Sequence, residues 1–162
     1  SVSGRQKHLL KNIYFHIDGG DMVALMGPSG AGKSTLLDLI AGRKRSGLWS
    51  GSILVNQQHR SRFFHRDSAY VLQDDLHIPT LTVKETIEYA AWAKLPEGTC
   101  VEDRCKRVQF LLHMMGLEHV QNSIVGDALS KGISGGQLKR LSIAVEIVAL
   151  PSLIFLDEPT SG

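Results

Sequence analysis

The segment Gly27–Ser34 follows the pattern G-x-x-x-x-G-K-[ST], which is typical of loops that hold phosphate groups. Glycines let the backbone curl so that N–H groups point at phosphate oxygens, and a following helix adds the positive end of its dipole. In such a loop, Lys33 would bridge the terminal phosphates and Ser34 would offer an oxygen to Mg²⁺. The alternative is a glycine-rich turn with an exposed lysine. The predicted phosphate-binding residues are Gly27, Pro28, Ser29, Gly30, Ala31, Gly32, Lys33, Ser34 and Thr35.

A second candidate site lies near the C-terminus, where the apolar run Leu153–Leu156 ends in Asp157 and Glu158. The run predicts a buried strand. Its terminal carboxylates would place Asp157 near Mg²⁺ and leave Glu158 to take a proton from attacking water. An apolar strand that ends in Asp-Glu is often only a strand entering solvent, so the phosphate loop is what favours the functional interpretation.

A third candidate is Ile133–Gln137, which stands immediately before an amphipathic helix. It offers the Ser134 hydroxyl, flexible backbone N–H groups at Gly135 and Gly136, and a helix N-terminus that could bind an anion. On the residues alone, an ordinary serine N-cap explains the segment equally well.

Strands, loops and helices must position these residues. Alternating apolar residues predict a half-buried strand at 13–17, Met22–Met26 predicts a buried strand before the phosphate loop, and a helix follows from Ser34 to Ala41. Further short strands are predicted at 52–56 and 69–72. Three helices are then predicted: one capped by Thr82 and Glu85 that runs to about residue 94, one over 102–115, and one from about 136 to 150. The phosphate loop therefore has the strand-loop-helix context that such a loop requires.

Composition limits the class of protein. The chain has 162 residues, 43% of them hydrophobic and 21% charged, which is typical of a globular domain. Eighteen Lys and Arg against 16 Asp and Glu give a net charge of +2. The isoelectric point near 8.6 is below the value of about 9 that suggests nucleic-acid binding. No apolar stretch reaches the roughly 18 residues needed to span a bilayer, so the sequence predicts neither a membrane helix nor a nucleic-acid partner.

Taken together, these motifs resemble the nucleotide-binding domain of ATP-binding cassette (ABC) transporters, over nearly the whole chain. The family signature L-S-G-G-Q appears as Ile133–Gln137, and Gln73 matches the glutamine of the Q-loop. The stretches 73–75, 131–136 and 156–162 resemble the white/G subfamily in particular. The fold implied is α/β, a P-loop NTPase of ABC ATPase type with an inserted α-helical subdomain. Residues 1–81 and 151–162 would form the ATP-binding core and about 82–150 the helical subdomain, in a single partial domain.

The resemblance also implies roles for residues that spacing alone does not assign. Gln73, with Ser34 and Asp157, would coordinate Mg²⁺. Two such domains would stack head to tail, so that Ser134, Gly135, Gly136 and Gln137 of one close on the ATP held by the other. The chain is expected to be cut at both ends: Gly162 precedes the final strands, the D-loop and the switch histidine of the family. The fragment alone is expected to be inactive.

The function implied is ATP hydrolysis that drives export of lipid-like or other apolar substrates. Its partners would be a second nucleotide-binding domain and a transmembrane domain, with this domain on the cytoplasmic face of a membrane. Two alternatives remain from the residues: a non-transporter ABC ATPase of DNA repair or translation, and a module that binds ATP without turnover. Glu158, in the position of the general base, argues against the second alternative.

Overall fold

A computed structural model describes residues 9–44, 46–127 and 131–159 of the chain. It divides into two compact units, Ser1–Ser61 and Arg62–Gly162. Along the described residues, the first unit holds one helix and a small hairpin, and the second holds the remaining helices and a pair of parallel strands. The chain is therefore a mixed α/β protein.

The first unit contains helix α1 (Lys33–Ala41) and the strands β1 (Leu54–Val55) and β2 (Gln58–His59). The strands pair antiparallel around Asn56 and Gln57, whose φ angles of 49° and 64° are the left-handed values that a tight hairpin turn requires. Gly42, with φ 75°, closes α1, since its backbone N–H bonds to the helix carbonyls. Arg60 adds side-chain hydrogen bonds to Leu39 O and Ile40 O, so it satisfies carbonyls that the helix end leaves unpaired.

Two predictions for this unit are wrong. Neither residues 13–17 nor 22–26 form a strand, and the predicted strand at 52–56 is shortened to β1. Met22 and Met26 are 99% and 90% exposed rather than buried. The physical reason is that a strand has no internal hydrogen bonds and forms only against a partner, and no described residue pairs with these two segments.

The second unit is built on three helices, α3 (Val83–Lys94), α4 (Val101–Met114) and α5 (Gly135–Ile147), with the short helix α2 (Phe64–Asp67) and a 3₁₀ turn at Glu118–Val120. Their apolar faces meet in one core. Its fully or almost fully buried members are Val83, Ile87, Ala90, Ala91, Val108, Leu111, Leu112, Leu117, Val125, Leu141, Ala144, Ile147 and Val148. Burying one Leu or Ile side chain contributes about 1.5–3 kcal/mol, so this core is what holds the unit together.

The ends of these helices follow from local sequence. The predicted capping box is present on α3: Thr82 Oγ1 accepts from Glu85 N at 3.2 Å, and Glu85 Oε2 accepts from Thr82 N at 2.8 Å. Hydrogen bonds that Thr82 N and the Thr82 hydroxyl donate to the Glu85 carboxylate hold the pKa of Glu85 below its usual value. Helix α5 ends at Ile147, three residues before the predicted end, because Leu150 turns left-handed with φ 57° ahead of Pro151. The helical periodicity therefore located all three helices to within a few residues.

Two strands form the sheet of this unit, β3 (Ser68–Val71) and β4 (Leu153–Leu156), paired in parallel with Tyr70 opposite Phe155. The strand predicted over 153–156 is confirmed, but its full burial is wrong: Ile154 is 44% exposed and Leu156 39%. Only Phe155 is buried, stacked on Tyr70 at 6.0 Å between ring centroids. The side chains of β4 are thus covered on one face only, and among the described residues β3 is its only paired neighbour. The described part of the chain holds no helix with the length and apolar character of a membrane span.

Candidate functional site: a phosphate loop, a carboxylate cluster and a signature loop

The phosphate loop depends on glycine conformations. Gly30 and Gly32 have φ angles of 77° and 98°, a region that residues with a Cβ rarely adopt. Gly32 is the N-cap of α1, and its carbonyl accepts the first helical bond from Leu36 N at 2.9 Å. The predicted helix therefore begins directly at the end of the loop, with Lys33, Ser34 and Thr35 in its first turn. This is the geometry in which a helix N-terminus faces a bound anion.

The side chain of Lys33 turns back over this loop. Its ammonium donates to Gly27 O at 2.9 Å and to Pro28 O at 3.1 Å, and both contacts are exposed to solvent. The lysine cation is thus held on the loop backbone by two exposed hydrogen bonds, which bonds to phosphate oxygens could replace. The loop residues Gly27–Ala31 are all exposed, so the site is accessible.

A second constellation forms where β3 and β4 end. Gln73 Nε2 donates to Glu158 Oε2 at 2.9 Å, the Tyr70 hydroxyl lies 3.4 Å from Asp157 Oδ2, and Asp157 N bonds to Val71 O at 3.0 Å. The three sequence-predicted residues Gln73, Asp157 and Glu158 are therefore brought together, and we call them the carboxylate cluster. The carboxyl ends of parallel strands are where α/β proteins place their ligand-binding groups.

Glu158 has an unusual backbone. Its φ angle is 48°, in the left-handed region, although it is not glycine. Such backbone angles are uncommon for residues with a Cβ and persist where the surrounding structure holds them in place. The chain turns away from β4 at Glu158, the residue whose carboxylate accepts a hydrogen bond from Gln73.

The signature loop, Ile133–Gln137, is an N-cap. Ser134 Oγ accepts from Gln137 N at 3.3 Å, and Gln137 Oε1 accepts from Ser134 N at 2.8 Å, which completes a capping box on α5. The ordinary interpretation of this segment is thus confirmed. Ser134, Gly135 and Gly136 are exposed, and a Cβ built on either glycine would meet nothing within 4 Å. The helix N-terminus therefore presents an open face.

Sequence reasoning missed several polar residues that support these sites. Lys139 on α5 is 7% exposed and reaches the segment after β3, where it lies 3.0 Å from Asp75. His77 Nε2 is 2.6 Å from Ser142 Oγ, and burial lowers the pKa of His77 despite the nearby carboxylates of Asp75 and Glu146. Gly132 packs so closely on the Val125 carbonyl that a Cβ would overlap it. The sequence signal for Lys139 was its position beside the apolar stripe of α5. Periodicity alone does not decide whether a residue at that position is buried or exposed.

Together these features define a class: an α/β protein with a phosphate loop and a strand-end carboxylate cluster. The family model for ABC transporters matches residues 10–161. The chain therefore belongs to the ABC transporter family, and the resemblance seen in its motifs is confirmed. Among solved structures it is similar to the ATP-binding cassette MJ0796 in a dimeric post-hydrolysis state bound to ADP and Pi. That likeness has a TM-score of 0.74 and 31% identity, over 94% of this chain and 66% of the other, and it confirms the predicted fold class.

The curated relatives belong to the G family. The chain is 43% identical over 99% of its length to ABC transporter G family member 22 of Arabidopsis thaliana. It is 45% identical over 100% to G family member 1 of Petunia hybrida, and 47% identical over 95% to G family member 2 of Dictyostelium discoideum. It spans 21%, 26% and 12% of the lengths of these relatives. The resemblance to the G subfamily is thus confirmed, although the part of it at Thr160, Ser161 and Gly162 lies outside the described residues.

Proposed function

We propose that this chain binds ATP with Mg²⁺ and hydrolyses it, as the nucleotide-binding domain of a G-type ABC transporter. The observation that carries the proposal is the phosphate loop: left-handed glycines, the Lys33 ammonium over the loop and the start of α1 form one anion-binding surface. Family membership and the G-family relatives support the same function.

The donor types of the ligands assigned from the sequence suit a magnesium ion. Mg²⁺ takes oxygen ligands, and Ser34, Gln73 and Asp157 supply a hydroxyl, an amide and a carboxylate oxygen. When bound, the ion neutralises charge that develops on the phosphate oxygens. In this proposal Lys33 and the loop N–H groups bind the phosphates, and Ser34 with Asp157 holds the metal.

Glu158 acts as the general base, which takes a proton from the attacking water. The hydrogen bond from Gln73 Nε2 to Glu158 Oε2 orients the carboxylate before the reaction. A carboxylate in this position favours turnover over the alternative of an ATP-binding module without hydrolysis. The G-family relatives favour a transporter over an ABC ATPase of DNA repair or translation.

The signature loop serves a second copy of the domain. Its open N-terminus on α5 and the dimeric state of the solved relative support a head-to-tail pair, in which Ser134, Gly135, Gly136 and Gln137 face the partner's ATP. We further propose a transmembrane domain as partner, a location on the cytoplasmic side of a membrane, and export of lipid-like or other apolar substrates. These proposals rest on the family and its G-type relatives.

A calorimetric titration of Mg²⁺-ATP tests the binding step. We expect Lys33→Ala to weaken binding by roughly 10- to 150-fold, because a hydrogen bond to a charged group contributes about 1.5–3 kcal/mol. Lys44→Ala, an exposed lysine of the same unit, is the control and should bind like the parent. Equal affinities for the parent and Lys33→Ala would overturn the assignment of the phosphate loop.

A further inference from the structure

A buried lysine ties α5 to the segment that carries Gln73. The Lys139 ammonium donates to Gln73 O at 2.7 Å and to Leu72 O at 3.3 Å, and it lies 3.0 Å from Asp75 Oδ1. Its side chain is only 9% exposed, and that of Asp75 only 12%. An ammonium has three hydrogens to donate, and here its partners all lie within residues 72–75.

Forming such a contact costs free energy. Burying a lysine charge is unfavourable unless the charge is paired and hydrogen-bonded. Asp75 Oδ1 has no hydrogen-bond partner among the described residues, so its contact with Lys139 is an ion pair without directional bonding. The short bond is instead the one to Gln73 O, so the ammonium fixes the main chain of Gln73 more directly than it fixes Asp75.

A second polar contact joins the same two elements. His77 Nε2 and Ser142 Oγ are 2.6 Å apart, with His77 two residues beyond Asp75 and Ser142 three residues beyond Lys139. The segment Leu72–His77, which we call the Gln73 segment, is therefore held on α5 at two points. Helix α5 is also the helix that begins at Ser134.

We propose that Lys139 is a positioning residue for hydrolysis, which links the signature helix to the general base. The path has two steps: Lys139 holds the main chain of Gln73, and the Gln73 side chain holds the Glu158 carboxylate at 2.9 Å. A movement of α5 would thereby reach Glu158 through Gln73. The inference rests on the proposed function, because it assigns Lys139 to the same reaction.

Steady-state ATP hydrolysis by the full-length protein tests this path. We expect Lys139→Met to lower kcat by about 10- to 100-fold with KM nearly unchanged, since a misplacement of about 1 Å can cost about 100-fold. In a Gln73→Ala background the same substitution should cause little further loss, because it acts through Gln73. Arg140→Met, an exposed neighbour on α5, is the matched control. Independent, multiplicative losses from Lys139→Met and Gln73→Ala would overturn the proposal.

A paired variant separates positioning from folding. Removing only Lys139 leaves the Asp75 carboxylate buried and unpaired, which destabilises the fold. Asp75→Leu combined with Lys139→Met removes both charges and should restore the melting temperature of the parent. We expect kcat to stay low in this stable variant, because the contact with Gln73 O is still absent. Recovery of kcat together with stability would show that Lys139 has only a structural role.

A structural measurement does not depend on turnover. In a crystal structure of Lys139→Met, we expect the Gln73–Glu158 hydrogen bond to be lost, whereas Arg140→Met should retain it. If the parent protein hydrolyses no ATP, the proposed function fails, and this measurement still decides whether Lys139 positions Gln73. An unchanged Gln73–Glu158 contact in Lys139→Met would overturn the inference.

Discussion

The phosphate loop and the carboxylate cluster are formed by different kinds of contact. In the loop, Lys33 contacts carbonyls five and six residues away, and the shape comes from backbone angles at glycines. In the cluster, Gln73 contacts Glu158 across 85 residues, and the contact exists only because β3 and β4 pair. A site specified locally can be identified from one short motif. A site assembled from distant segments depends on the packing of its whole unit.

The largest expected effect concerns the cluster. Glu158→Gln keeps the shape of the side chain and an oxygen that can accept from Gln73, but removes the base. We expect ATP turnover in the full-length protein to fall by about 10²- to 10⁴-fold, with Mg²⁺-ATP still bound. Phosphate release measures turnover and calorimetry measures binding. The control is Glu97→Gln, a substitution at an exposed residue. Unchanged turnover would remove Glu158 from the mechanism and leave only the loop as a functional site.

A backbone change tests the loop. Alanine at Gly32 must adopt a φ angle of 98° and would place its Cβ 3.2 Å from Leu10 Cδ2. Because such strain costs about 1–3 kcal/mol, we expect Gly32→Ala to weaken Mg²⁺-ATP binding by about 5- to 150-fold.

The control for this loop variant is Gly98→Ala, where a Cβ meets nothing within 4 Å and the backbone angle is ordinary. Calorimetry on both variants gives the comparison. If Gly32→Ala binds as well as Gly98→Ala, local backbone conformation does not determine the phosphate site.

The smallest expected effect is a pH dependence of the contact between the Gln73 segment and α5. Burial lowers the pKa of His77 from 6.5, and the attraction of Asp75 and Glu146 offsets this only in part. In the window between the lowered pKa and 6.5 the unfolded chain binds more protons than the folded chain. The contribution of His77 to stability is therefore complete above about pH 6.5 and is lost as the pH falls, by at most about 1.36 kcal/mol per pH unit.

Urea unfolding of the chain and of His77→Gln, between about pH 8 and pH 5, measures this effect. Titrations of groups that do not interact with His77 contribute equally to both proteins and cancel in the difference. We expect the parent to lose more stability than the variant on acidification. Parallel curves would mean that His77 titrates alike in the folded and unfolded chains.

The contrast between the locally specified loop and the cluster assembled from distant segments also explains which features could be predicted from the sequence. Thr82 and Glu85, or Ser134 and Gln137, carry a helix start within four residues, so the helices were predicted closely. Residue types and spacing also identified the loop residues, Asp157 and Glu158 as candidates, whereas Gln73 was assigned only through the resemblance to the family. The run 22–26 looks like a strand on its own, but its state depends on partners that lie elsewhere in the chain.

Lys139 shows the other limit of sequence reasoning. A lysine at a helical position is usually exposed, and only the position of the Gln73 segment makes this one buried. Residues of this kind become visible only when the tertiary structure brings their acceptors into place. The chemistry-bearing groups can thus be found from the sequence, whereas the groups that hold them in position cannot.

At Glu158, whose backbone is left-handed, stability and activity favour different residues. A residue with φ 48° is strained unless it is glycine or asparagine, and nothing about folding calls for a glutamate there. Selection for thermal robustness alone would favour glycine at this position. With Glu158 as the proposed general base, the protein keeps a carboxylate in a weaker turn, so a Glu158→Gly change that stabilises the turn would also remove the base.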